Sequence, residues 1–360
     1  MRMERLINMK RVLLFLLLLV LLPVHAYGAE PREILYAHAL SRAVNREPSI
    51  SPLDRESRQL EARARAAMDK RAGLSGLEMA EADALYGDAL RMRAESRRLE
   101  RERSRLIVSV ELSLRNYLAN IAGLELDLDL LEKRLDLQEL TLEHLRLRYY
   151  HGMASALELR EAEHNLEQSR MDSEMLALAL ENERRQLNLL INHPVTANLR
   201  LIYDINYEPI PEDIDRFITA QAALDHNLLY WQDQVEVRRH DWQSRLDIPE
   251  VDNTYMRLQH QLAVLERNIA QSQAELAVRN TLANWERLQE QKQGMLADLA
   301  QAKADYEDMQ SRFDAGLVTQ VQVEAMAVAV AAQEARLAKH EYALWIARLR
   351  IDHPYARGGF

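Results

Sequence analysis

The chain of 360 residues is 48% hydrophobic and 28% charged, with a net charge of −10, so it can bury a large apolar surface and carries no basic footprint for nucleic acid. The lack of cysteine excludes disulfide staples, thiolate metal sites and a lipid-anchored N-terminal cysteine. With 10 Gly and 9 Pro in the whole chain, long helices are favoured over many short strands.

Residues 1–28 read as a secretory signal. Arg2, Arg5, Lys10 and Arg11 precede an apolar run from Val12 to Leu22, followed by Pro23 and the small-residue site Ala26-Tyr27-Gly28 before Ala29. The run is shorter than the about 20 apolar residues that span a bilayer, which favours a signal over a retained anchor and leaves its cleavage open. An exported protein of the cell envelope follows from it.

Residues 29–193 form a first helical unit. Its helical period runs from Leu35 to His193, with breaks at Ala72 to Gly76 and at His151 to Ala154. Within it, Arg91, Arg93, Arg97, Arg98, Arg101, Arg103 and Arg105 alternate with Glu95, Glu100 and Glu102. That stretch reads first as a salt-bridged helix face and second as a contact for anionic lipid or cell-wall polymer. Further along, Leu124, Leu128, Leu131, Leu135, Leu142, Leu145 and Tyr149 make a heptad seam. Leu126, Leu130, Leu137, Leu140 and Leu147 make a second on the opposite face. Two opposed seams predict a helix with a neighbour on each side.

Residues 194–216 read as a linker, with Pro194, Pro209, Pro211 and a strand-like run from Leu199 to Tyr203. Residues 217–360 then repeat the plan, with breaks at Ile248 to Asn253 and at Ala315 to Val318. The repeat is direct: Arg115 to Leu166 aligns without gaps to Arg279 to Val330 at an offset of 164 residues. One supersecondary unit is therefore used twice. The first seam survives in the second copy from Leu288 to Phe313. The second seam thins to Gly294, Ala297 and Ala304, which predicts closer helix approach there. The fold class is all-α, built of long antiparallel hairpins in two internal repeats with little or no β.

The turns carry the most specific chemistry. Gly152 and Gly316 each follow a long helix and can take the left-handed conformation that ends it. Ser155 with Glu158, and Thr319 with Gln322, form capping boxes, while Arg148 and Arg312 place positive charge in the preceding last turn. His144, His151 and His164 lie near the first turn but have no metal-ligand spacing, and Trp231, Trp242, Trp285 and Trp345 read as core or interface. No phosphate loop, nucleophile elbow or catalytic carboxylate pair is present, so the sequence offers no enzyme site and implies no cofactor.

At Arg148-Tyr149-Tyr150-His151-Gly152 and Arg312-Phe313-Asp314-Ala315-Gly316-Leu317-Val318-Thr319 the chain resembles the TolC-type outer-membrane efflux channels. The resemblance implies an α-barrel protomer that assembles as a homotrimer, forming an envelope-spanning duct for drugs or proteins. It also implies a periplasmic membrane-fusion adaptor that docks on Arg148, Gly152, Met153, Ala154 and Ser155 and on Arg312, Gly316, Leu317, Val318 and Thr319, with an inner-membrane transporter behind it. The family's acidic pore ring maps imperfectly: Gln322 and Ala325 occupy the second-half positions, and Glu158 and Glu161 offer carboxylates in the first half. Glu158 reads equally as a cap and Glu161 as a solvated face. The family's membrane strands have no counterpart, because 54–105 and 232–275 are too polar and lack alternation, which leaves contact with an outer membrane open. The rival reading is a non-conducting structural or adaptor-like coiled-coil envelope protein.

Overall fold

A computed structural model describes residues 32–74, 78–244 and 253–356; the leader expected at 1–28 lies outside them, as do 75–77 and 245–252 within two of the expected breaks. A short strand β1 (Arg32–Leu35) leads into α1 (Tyr36–Arg46) and α2 (Ile50–Ala72). Helix α3 (Met79–Tyr150) then runs for 72 residues, roughly 110 Å at 1.5 Å per residue, and turns back into α4 (Ala156–Leu190). After β2 (Leu199–Ile202) come α5 (Ile214–Ala222) and α6 (His226–Gln243). The 61-residue α7 (Thr254–Asp314) follows, then α8 (Gln320–Asp352) and a 3₁₀ turn at Pro354–Ala356. No proline interrupts α3 or α7, so each propagates as one rod.

Contacts arrange these rods in rows. Towards the two Gly turns the order is α4, α3, α8, α7; at the opposite end it is α2, α3, α6, α7. Helices α3 and α7, the equivalent members of the two repeats, are thus the long staves, and each half adds its own return helix. The row explains why α3 needs apolar residues on opposite faces. Leu142 is buried and the rest of the first seam is half-buried as far as Leu145, while Leu126, Leu130, Leu137 and Leu140 are half-buried and Leu147 is exposed. The small residues Gly294, Ala297 and Ala304 of α7 are exposed, so any closer approach there lies outside the single chain.

Joints between the halves differ along the rods. At the end away from the Gly turns, α3 meets α6 through charge. Buried Asp233 is ion-paired with Arg97, whose Nε lies 2.8 Å away, and accepts from Arg101 Nη2 at 2.8 Å, and Arg91 reaches Asp241. Arg98 and Arg105 pair along their own helix and Arg103 reaches Asp54 of α2, so most of the basic stretch is a salt-bridged ladder rather than an open surface. Gly87 allows this approach, since a Cβ there would stand 2.9 Å from His240 Nε2 of α6.

Midway along the rods is a belt. The segment 194–216, expected only to link the halves, packs across both. Its strand β2 pairs in parallel with β1, in register Arg32 to Leu199 through Leu35 to Ile202. The sequence pattern gave β2 as strand-like and did not reveal β1. Helix α4 is stopped by Asn192 in the left-handed conformation (φ 53°), with the His193 amide donating to the Asn188 carbonyl at 2.8 Å. Tyr203 stacks on Trp345 at 5.7 Å and its hydroxyl lies 2.8 Å from that of Tyr342. Tyr207 meets Trp285 edge-on at 5.1 Å and donates to Glu341. Around these rings lie two buried clusters, one including Leu114, Leu118, Leu187, Ile191 and Trp345, the other Val278, Leu282, Trp285, Leu344 and Ile351. Each such side chain contributes about 1.5–3 kcal/mol by leaving water. Arg115 completes the belt: it donates to the Trp345 carbonyl at 2.9 Å, lies over that ring, and holds Glu111 at 2.7 Å.

Candidate functional site

The two Gly turns are built alike from their own residues. Gly152 and Gly316 both have φ +71°. In the first turn the Gly152 amide donates to the Tyr149 carbonyl at 2.9 Å and the Met153 amide to the Arg148 carbonyl at 2.8 Å. In the second, Gly316 donates to Phe313 at 2.8 Å and Leu317 to Arg312 at 2.9 Å. This paired 5→2 and 6→1 pattern satisfies carbonyls that the helix end leaves open.

Each return helix then starts on its cap. The Ser155 hydroxyl accepts from the Glu158 amide at 3.1 Å while the Glu158 carboxylate accepts from the Ser155 amide at 2.6 Å, closing the box. Opposite, the Gln322 side chain takes the Thr319 amide at 2.9 Å and the Thr319 hydroxyl at 3.2 Å. The arginines differ: Arg148 donates back across its turn to the Met153 carbonyl, whereas Arg312 pairs with Asp308 one turn earlier.

The resulting tips present large apolar side chains to solvent. Tyr150, Met153, Leu157 and Leu317 are all more than half exposed, while Ala154 and Val318 are half-buried beneath them. Each tip thus joins a hydrogen-bonded backbone to an exposed apolar surface. Glu158 and Glu161 are both exposed, on the first and second turns of α4. The hydrogen bond from the Ser155 amide holds the Glu158 carboxyl below the usual carboxylate range, so its charge is committed to the cap. His151 packs edge-on against Tyr150 at 5.4 Å.

Sequence reasoning missed a second exposed feature. Along α7, Tyr255, Leu258, Leu262, Leu265 and Ile269 are exposed at 3–4 spacing, and Leu276 follows one heptad later. A heptad count through 253–276 reveals this column; the high local polarity masked it. A matching exposed group, Met171, Met175 and Leu178, lies on α4.

No protein-family model matches the sequence, and no curated protein matches it. Solved structures match by fold. The outer membrane protein VceC of Vibrio cholerae aligns over 89% of this chain and 95% of its own, with a TM-score of 0.63 and 12% identity. The CmeC outer membrane channel of Campylobacter jejuni aligns over 89% and 85%, with a TM-score of 0.59 and 11% identity. The MtrE outer membrane channel of Neisseria gonorrhoeae, solved in its open state, aligns over 89% and 90%, with a TM-score of 0.56 and 13% identity. The fold is that of the TolC-type outer-membrane channels which the turn motifs resemble.

Proposed function

We propose that this chain is the duct-forming subunit of an efflux or type I secretion assembly, closing as a homotrimer into a helical tube in the cell envelope. The observation that carries this reading is the row of four helices with two turns of the same backbone form at one end, in a chain whose two halves repeat. A curved row of staves makes a wall, and three walls of four enclose a lumen. Conduction then asks no bond chemistry of the protein, only a hollow interior that water and solute can fill.

The turns Arg148 to Ser155 and Arg312 to Thr319 receive a periplasmic adaptor in this reading, with an inner-membrane transporter behind it. Their apolar tips offer the buried anchors of such a contact, and their fixed backbone lowers the entropic cost of docking. Glu158 and Glu161 of three copies would set six carboxylates at the mouth and favour cations. The end away from the turns is helical where described, and no described helix is long and apolar enough to cross a membrane.

Electron microscopy of the purified particle, paired with solute flux from vesicles carrying it, tests the reading. A ring with a central channel and measurable flux is expected. A solid rod, or a particle without flux, points to the non-conducting scaffold instead. Replacing Glu158 and Glu161 by Gln should reduce cation preference, and unchanged selectivity rejects the carboxylate ring.

A further inference from the structure

Helix α3 lies between α4 and α8, and small side chains leave a trough where the three rods run together. Ala119 and Gly123 of α3, with Ala179 of α4 and Ala343 of α8, line a cleft of about 590 Å³. Gly123 keeps it open: the nearest atom to a Cβ placed there would be the Lys339 stem at 3.8 Å. The volume lies in the range of small-molecule sites, and one chain alone forms it.

The walls of the cleft carry unbalanced charge. Lys339 of α8 is committed to Asp127 of α3, and Arg184 of α4 is committed to Glu125 of α3. Half-buried Glu183, which lines the cleft from α4, has no such partner. Its Oε2 is closed to solvent and accepts no hydrogen bond, and among the described residues no ion pair includes it. A carboxylate oxygen that leaves water without gaining a donor is destabilising, and a cationic donor seated in the cleft offsets that cost.

We infer that this cleft binds an organic amine, with the ammonium head on Glu183 and the apolar body along Leu124, Ile346 and the alanines. The chemistry favours this class over two others. Among the described residues no group of three or more His, Cys, Asp or Glu converges as a metal site, and the cleft is far larger than a bare ion. An anion would face the carboxylates of Glu183 and Asp127. An ammonium instead brings three N–H donors, and Asn120 and Asn182, which line the same cleft, offer amide oxygens beside Glu183. Because the site is complete within one chain, the inference goes beyond the duct reading and does not rest on it.

Calorimetric titration of the full chain with hexylammonium tests the site, with hexanol as a neutral probe of the same length. Saturable binding of hexylammonium is expected, with hexanol weaker by about tenfold or more, the worth of a charge-assisted hydrogen bond. Glu183→Gln keeps the shape and removes the charge; it should weaken hexylammonium by a similar factor while the far-ultraviolet circular dichroism stays unchanged. Ala343→Leu narrows the cleft without touching charge and should weaken binding too. Equal binding of hexanol, full binding by Glu183→Gln, or unchanged binding by Ala343→Leu overturns the assignment. So does a parent chain that binds no hexylammonium at millimolar concentration. Binding that emerges only in Lys339→Met would mean that Lys339 itself serves Glu183, and it overturns the site as well. None of these outcomes bears on the duct, which imaging and flux decide separately.

Discussion

The Gly turns and the aromatic belt use opposite strategies to hold the same helices. Every hydrogen bond that shapes a turn spans five residues or fewer, from Arg148 to Met153 or from Ser155 to Glu158. In the belt, Arg115 reaches Trp345 across 230 residues and Tyr203 reaches Tyr342 across 139. A turn coded by its neighbours can be copied intact into a second half and can stand exposed. A belt coded by distant partners cannot be copied piecemeal, and it sets how the two halves sit together.

The contrast orders the expected effects of mutation. Trp345→Ala should be the most damaging, since the ring is 4% exposed and carries Tyr203 and Arg115 on its faces. A loss of about 3–5 kcal/mol in urea unfolding is expected. A loss below 1 kcal/mol would mean that the halves are held elsewhere.

Acid should act next, through His226 beside the belt. Its ring stacks on Tyr355 at 3.9 Å, and burial, with Arg101 and Arg105 nearby, pushes its pKa from 6.5 down to about 4. The folded state holds the neutral ring, so the unfolded chain binds the extra proton between those two values. The His226 contribution is therefore complete above pH 6.5 and is lost as pH falls towards 4. His226→Phe should flatten that part of the stability profile; an unchanged slope assigns it to other groups.

Changes at the turns should be smaller and local. Gly316→Ala, forced to φ +71°, is expected to cost about 1–2 kcal/mol, read as faster amide exchange in the last turn of α7 while the belt amides stay protected. Ser155→Ala should cost about 1 kcal/mol by opening one cap. Smallest of all is the pH effect of Glu158. Its lowered pKa gives a contribution that is present above the ordinary carboxylate range and lost as pH falls through the folded value. Glu158→Gln should remove that acid-side slope. If turn variants melted the belt, the separation of local from long-range coding would fail.

Much of the architecture is readable along the chain because long helices and their ends report on neighbours in sequence. The Gly turns, the Ser155–Glu158 box and the seams of α3 all lie within one or two helical turns of what determines them. Strand β1 was not readable, since Arg32 to Leu35 is too short to show a period and forms only because β2 arrives beside it. The role of 194–216 was hidden for the same reason: its prolines suggest a spacer, and its tyrosines become structural only against Trp345 and Trp285. The column on α7 was present in the heptad count but obscured by charged residues between its members.

Sequence by itself determined the helical class, the duplication, the places where helices end and the chemistry of the tips, because each depends on residues a few positions apart. Only the tertiary structure decided which helices are neighbours, that the linker closes a belt, and which apolar faces remain open. Those follow from packing between segments more than a hundred residues apart, where shape and the loss of water select the partner and no local pattern records the choice.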